Sequence, residues 1–179
     1  MESINLLKKY FENIIQSLNN TNINRIFSYL KQIPILCEIN KNSLLNRSIR
    51  DTNSKHYHPV KVKKGDIYNA KITENAGSEL SDNHLVIIIQ GISSNIYGEK
   101  VTVLPIEGDG KKINPHYQIP LTNADLENGQ LDKDPSRIVY TDIITIDKAR
   151  LNGRIGYLKP TKIEEINKKL VMHLELKKG

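Results

Sequence analysis

Tryptophan is absent from the 179 residues, phenylalanine occurs twice and cysteine once. The single thiol, Cys37, closes no internal disulfide, and without paired Cys-x-x-Cys motifs there is no zinc framework. A reducing compartment is therefore expected. The longest apolar run, Leu85 to Ile89, falls far short of the roughly 20 residues a membrane-spanning helix needs. Acidic Glu2 and an amphipathic pattern stand where a secretory signal would show basic residues and an apolar core. These absences point to a soluble, cytoplasmic protein without a membrane partner. With 38% hydrophobic and 26% charged residues, the composition also excludes wholesale disorder and a disulfide-held miniature. One packed domain with an appendage is expected.

The formal charge is +6 and the isoelectric point about 9.3, which favours polyanionic partners such as nucleic acid. The surplus is uneven. Residues 1–60 carry eight basic and four acidic side chains, whereas residues 61–179 carry eighteen and sixteen.

Ile4, Leu7, Phe11, Ile14 and Leu18 recur at spacings of three and four, so residues 2–18 read as an amphipathic helix. Asn19 to Asn22 supply a turn and an N-cap. Ile23, Ile26, Phe27 and Leu30 then repeat the stripe until Pro34 interrupts it. The simplest picture is a helical extension over 1–40, packed on the main domain or offering a stripe to a partner. Residues 41–60 are polar and aperiodic and read as a linker, with at most a short helical piece around Ser43 to Arg50. His56 and His58 have a metal-compatible spacing but no third ligand nearby, so both rings are expected in solvent and no metal site is assigned.

From residue 61 the period becomes strand-like. Strands are expected near Asp66 to Ile72, Leu85 to Gly91, Lys100 to Ile106, Tyr117 to Pro120 and Arg137 to Asp142. The uniformly apolar Leu85 to Ile89 suits a central strand buried on both faces. Longer loops fall at Asn75 to Asn83, Gly108 to Pro115 and Thr122 to Pro135. Pro160, Thr161 and Glu164 suggest a capping box, and Ile163, Ile166, Leu170 and Leu174 form the stripe of a terminal helix over 161–175. The pattern is α+β: a small antiparallel β-barrel followed by a C-terminal helix and preceded by an N-terminal helical extension.

Three stretches carry a family resemblance. Lys64-Gly65-Asp66-Ile67-Tyr68 resembles the opening of the first strand in the MazF/PemK (Kid/CcdB-like) toxins of toxin–antitoxin systems. Gly77-Ser78-Glu79, followed by Val86 to Gln90, resembles that family's loop feeding its central strand. Thr145-Ile146-Asp147-Lys148, Arg150-Leu151 and Gly156-Tyr157-Leu158 resemble the segment before its terminal helix. The resemblance covers roughly 61–176 and implies an SH3-like barrel. It further implies a homodimer, a cognate acidic antitoxin as partner, and cleavage of single-stranded RNA by 2′-hydroxyl attack on the adjacent phosphate, without metal or other cofactor.

Such chemistry needs a base, an acid and a group that stabilises the phosphorane's charge. The sequence departs from the family at two such positions. His84 stands where the family commonly has Arg, and Glu107 where it commonly has Thr or Ser. Either the two form an acid–base pair, since imidazole exchanges protons near neutral pH, or the lost guanidinium leaves a barrel that binds without cutting. Action on DNA gyrase, as in CcdB-like relatives, is a third alternative that fits the motifs less well. The catalytic candidates are thus His84 and Glu107. The substrate-binding candidates are Ser78, Glu79, Thr141, Asp142 and His116, the last beside the basic loop with Lys111 and Lys112. Tyr97 and Tyr117 are candidates for base stacking or for core packing.

Overall fold

The computed structural model describes residues 2–17, 23–73, 75 and 77–176, with the side chains of residues 2, 17, 23 and 25 excepted. It divides into two compact units, residues 1–37 and 38–179. The expected turn at Asn19 to Asn22, and Leu18, lie outside the described residues.

Helix α1 spans Glu2–Ser17. Along its apolar stripe Ile4, Leu7, Phe11 and Ile14 are 60, 58, 40 and 47% exposed. Helix α2 runs Ile23–Thr52 and contains Pro34, so the expected break there does not occur. A proline inside a helix removes one hydrogen bond and costs about 3 kcal/mol. In the second unit the C-terminal half of α2 is anchored strongly enough to stay helical. Ile39 is buried, Ser43 Oγ donates to Asp147 Oδ2 at 2.7 Å, and Arg47 and Arg50 both reach Glu99 at 2.8 Å. Residues 41–52, expected as linker, are therefore helical because their polar side chains have partners distant in sequence.

The second unit is built on an antiparallel sheet: β1 Asp66–Lys71, β2 Asn83–Ile88, β3 Lys100–Glu107, β4 Gln118–Leu121, β5 Leu126–Gly129, β6 Ser136–Val139, β7 Ile144–Asp147 and β8 Leu151–Leu158. Hydrogen bonding follows the order β4-β6-β3-β2-β1-β8-β5, with β7 added on β3. Helix α3, Ile92–Tyr97, follows β2, and α4, Pro160–His173, closes the fold. This is the expected α+β architecture, a curled antiparallel sheet of barrel type with a terminal helix.

Alternation along the strands creates two cores. Ile67, Ile87, Leu104, Ile106, Ile138 and Leu158 pack with Ile166 of α4 on one face. Tyr68, Ala70, Val86, Ile88, Val101 and Val103 pack with Val62 on the other. Strand β2 contributes to both, which is why its sequence is apolar without alternation.

Several boundaries shift. Strand β2 ends at Ile88, and Gly91 instead N-caps α3. The expected Thr122 to Pro135 loop contains β5, and the segment after Thr145 is two strands, β7 and β8, around a single 3₁₀ turn at Lys148–Arg150. Asp147 caps that turn through Ala149 N at 2.8 Å. Helix α4 begins at Pro160 with Lys159 as N-cap, so Thr161 is already inside it and the expected capping box does not form. Gly65, at φ +92°, turns the chain into β1 where a Cβ would lie 2.5 Å from Ile163 Cδ1 of α4.

Candidate active site

Strands β2 and β3 pair with Leu85 opposite Ile106, so the next residue outward on each strand is a sequence-predicted one: His84 on β2 and Glu107 on β3. Both line a cavity of about 370 Å³ with Asp109, Asp132, Lys133 and Ser136. His84 is half-buried there. Ser136 Oγ donates to Lys133 O at 2.6 Å, which shapes the turn carrying that lysine.

Glu107 is not a solitary carboxylate. It lies opposite Arg137 on β6, which donates through Nε at 2.9 Å and Nη2 at 2.8 Å to Glu107 Oε2, while Gln118 Nε2 approaches the same oxygen at 3.4 Å. Arg137 Nη1 also meets Asp109 Oδ1 at 2.5 Å and Lys111 O at 3.2 Å. The guanidinium is buried, at 5% exposure, and its bonds to Asp109 and Glu107 raise its pKa. Asp109 is held well below the usual carboxylate range, chiefly by that guanidinium and then by the backbone N–H and side chain of Lys111.

In the sequence Arg137 opens an expected strand with no role of its own, and Asp109 is one residue of a basic loop. Their significance depends on the β3–β6 register, which no local pattern reveals. The visible signal is the Glu107-Gly108-Asp109 pair of acids, like charges close in sequence that a shared cation relieves.

The remaining candidates lie elsewhere. Ser78, Glu79, Thr141 and Asp142 line a second, larger hollow of about 710 Å³. Thr141 Oγ1 donates to Asp142 Oδ1 at 3.2 Å. The cation of this hollow is Arg150, whose Nη1 donates to Lys71 O at 2.9 Å. In the sequence Arg150 belongs to the third family-like stretch, and only the fold brings it to this hollow. His116 lines neither cavity; it is exposed, its N–H donating to Asn114 Oδ1 at 3.0 Å and its carbonyl accepting from Tyr140 Oη at 2.5 Å. Tyr97 and Tyr117 are exposed, and Tyr97 meets Tyr57 edge-on at 5.6 Å. His58, expected in solvent, is 2% exposed and accepts from Val60 N at 3.1 Å, while His56 is exposed. Among the described residues no group of three or more His, Cys, Asp or Glu is arranged to hold a metal ion.

Residues 63–174 match the model of the PemK-like, MazF-like toxins of type II toxin–antitoxin systems. The chain belongs to this family. A protein of Staphylococcus saprophyticus named endoribonuclease MazF is 36% identical over 117 residues, covering 64% of this chain and 92% of that one. Solved structures of the family share its fold. MazF from Deinococcus radiodurans superposes with a TM-score of 0.54 at 14% identity, over 65% of this chain and 99% of its own. An endoribonuclease from a mycobacterial species gives 0.51 at 15%, over 67% and 97%. The family match covers the sheet and α4 and leaves α1 and α2 outside. Among the described residues no helix is long and apolar enough to cross a membrane.

Proposed function

We propose that this chain, a toxin of a type II toxin–antitoxin system, is an endoribonuclease acting in the cytoplasm on single-stranded RNA, with His84 as its proton-handling group. The observation that carries the reading is the cavity shared by His84 and Glu107, which adjoin the paired Leu85 and Ile106 on adjacent strands. A 2′-hydroxyl attacks the adjacent phosphate, the 2′-proton leaves to a base, and a proton goes to the departing 5′-oxygen, giving a 2′,3′-cyclic phosphate and a 5′-hydroxyl. Imidazole performs either transfer near neutral pH. Lys133, in the same cavity, supplies positive charge for the phosphorane. Glu107, tethered by Arg137, is a fixed carboxylate that orients the imidazole. Ser78, Glu79, Thr141 and Asp142, with Arg150, then form a second contact area for the strand.

One observation favours a second reading, a barrel that binds without cutting. Glu107, Asp109 and Asp132 put three carboxylates around the cavity against the single ammonium of Lys133. The test is cleavage of single-stranded RNA in EDTA. Cleavage by the native chain that drops at least a hundredfold in His84→Ala supports the nuclease. Undiminished cutting by that variant removes His84 from the mechanism, and no cutting by the native chain supports the binder.

As partners we propose a cognate acidic antitoxin and a second copy of the chain. The helical extension, proposed as a unit over 1–40, offers its exposed stripe of Ile4, Leu7, Phe11 and Ile14 to one of them. Its deletion is expected to lower oligomeric mass or antitoxin affinity. If neither changes, the extension has another purpose.

A further inference from the structure

A third cavity, of about 480 Å³, lies at the opposite end of β1 from His84. His84 is paired with Ala70, whereas this cavity is lined by Asp66 and Tyr68 nearer the start of the strand. Four residues of strand put Asp66 about 13 Å from Ala70. Its remaining walls come from α3, β8 and the segment before β1.

Asn95 of α3 lines this cavity and is 1% exposed. Its Nδ2 donates to Gln90 O at 3.1 Å, which fixes the orientation of the amide, because the reversed amide would set two carbonyl oxygens against each other. Among the described residues Asn95 Oδ1 has no hydrogen-bond partner. The residue is held in place from behind, as the fully buried Lys148 donates through Nζ to Asn95 O at 2.6 Å. A buried acceptor kept without a donor by a rigid surround is an unmade bond that a ligand N–H completes.

The other walls narrow the chemistry of that ligand. Tyr57, half-buried and braced edge-on by Tyr97, supplies aromatic surface, and Tyr68, 7% exposed, backs the wall from the core. The rim carries Lys61, Lys63 and Arg154 against the single carboxylate of Asp66, and Asp66 is already engaged by Arg154 Nε at 2.7 Å and Lys63 N at 2.6 Å. A ligand suited to all three features has a flat ring, an N–H on its inner edge and a negative charge at its outer end. An acidic peptide supplies the charge but not the ring with an inward donor.

We propose that this cavity binds one nucleotide, with the base against Tyr57 donating to Asn95 Oδ1 and the phosphate at Lys61, Lys63 and Arg154. The nucleotide is either free or one residue of an RNA strand; only the second source rests on the nuclease reading.

The experiment is calorimetric titration of the full chain with the four nucleoside 5′-monophosphates, with ribose 5-phosphate as the control lacking a base. At least one nucleotide is expected to bind ten times more tightly than the control. That affinity should fall about tenfold in the exposed-rim variant Lys61→Ala/Lys63→Ala and again in Tyr57→Ala, while His84→Ala leaves it unchanged. Thermal melting of each variant separates lost binding from lost fold. A 2′-O-methyl hexanucleotide, which cannot be cut by 2′-hydroxyl attack, distinguishes the sources: binding that the rim variants weaken assigns the site to a strand, and binding of mononucleotides alone assigns it to a free ligand. No nucleotide preferred over ribose 5-phosphate, or affinity unchanged in the rim and Tyr57 variants, overturns the proposal. So does an acidic peptide that binds through these residues while nucleotides do not. Cleavage lost in His84→Ala with nucleotide binding intact keeps the two readings apart.

Discussion

Arg137 holds Glu107 through one oxygen: Nε at 2.9 Å and Nη2 at 2.8 Å both donate to Oε2 across the β3–β6 ladder. Among the described residues every hydrogen bond to this carboxylate falls on Oε2, so the guanidinium fixes the group's orientation. The carboxylate that lines the cavity with His84 is thus set by Arg137.

Removing that cation leaves Glu107 with only the Gln118 amide at 3.4 Å and Asp109 with only the exposed Lys111. Arg137→Met is expected to lower stability by about 2 kcal/mol, less than for a fully enclosed pair because both carboxylates are partly hydrated. Urea unfolding measures this. A variant as stable as the native chain would show that the pair adds nothing to the fold.

The same cluster predicts an acid limb. Asp109 has a folded pKa below its ordinary 3.8, so the unfolded chain binds its proton first as pH falls. Its stabilising effect is complete above about pH 5 and is lost progressively below the ordinary value. Melting curves between pH 6 and 2.5 should fall less steeply in Asp109→Asn. Parallel curves would place the acid sensitivity elsewhere.

His58 acts in a higher window. Burial, and then the charge of Lys148, hold its pKa below 6.5, with Arg50 adding to the effect while Val60 O and Asp147 oppose it. The ring is neutral in the fold, and the unfolded chain takes up a proton as pH falls through 6.5, so stability is full above that value and declines below it. His58→Asn keeps an acceptor for Val60 N and should flatten the dependence between pH 7 and 5. A native chain whose melting temperature does not change across this range would contradict the assignment.

Gly65→Ala tests the first motif. The positive φ and the 2.5 Å approach of Ile163 Cδ1 both oppose a side chain, and about 2 kcal/mol of destabilisation is expected. Because the strain falls where β1 meets α4, hydrogen exchange in α4 should rise with it. Unchanged exchange there would mean the helix is held by other contacts.

The strand-rich domain and its terminal helix were legible because their signals are local. The apolar run of β2, the Gly65 turn and the Ile163, Ile166, Leu170 stripe each bury what their pattern says they should. The C-terminal half of α2 was not legible. Its polar residues look solvated until Glu99 and Asp147 appear beside them, about 50 and 100 positions away in sequence. Strands β5, β7 and β8 were hidden for the same reason, since short pieces interrupted by Asn, Gly and Arg gain strand character only from pairing.

For the site, the sequence alone determined which residue types were available, among them the imidazole of His84 and the carboxylate of Glu107. The tertiary structure decided how they are grouped. It placed His84 with Glu107 along one hollow, separated them from Ser78, Glu79, Thr141 and Asp142, left His116 outside both hollows, and tied Arg137 to Glu107. The physical reason is register. Side-chain chemistry is written residue by residue, but which charges meet is fixed by hydrogen-bonded ladders between strands distant in the chain, and a shift of one residue would turn each of these groups to the other face.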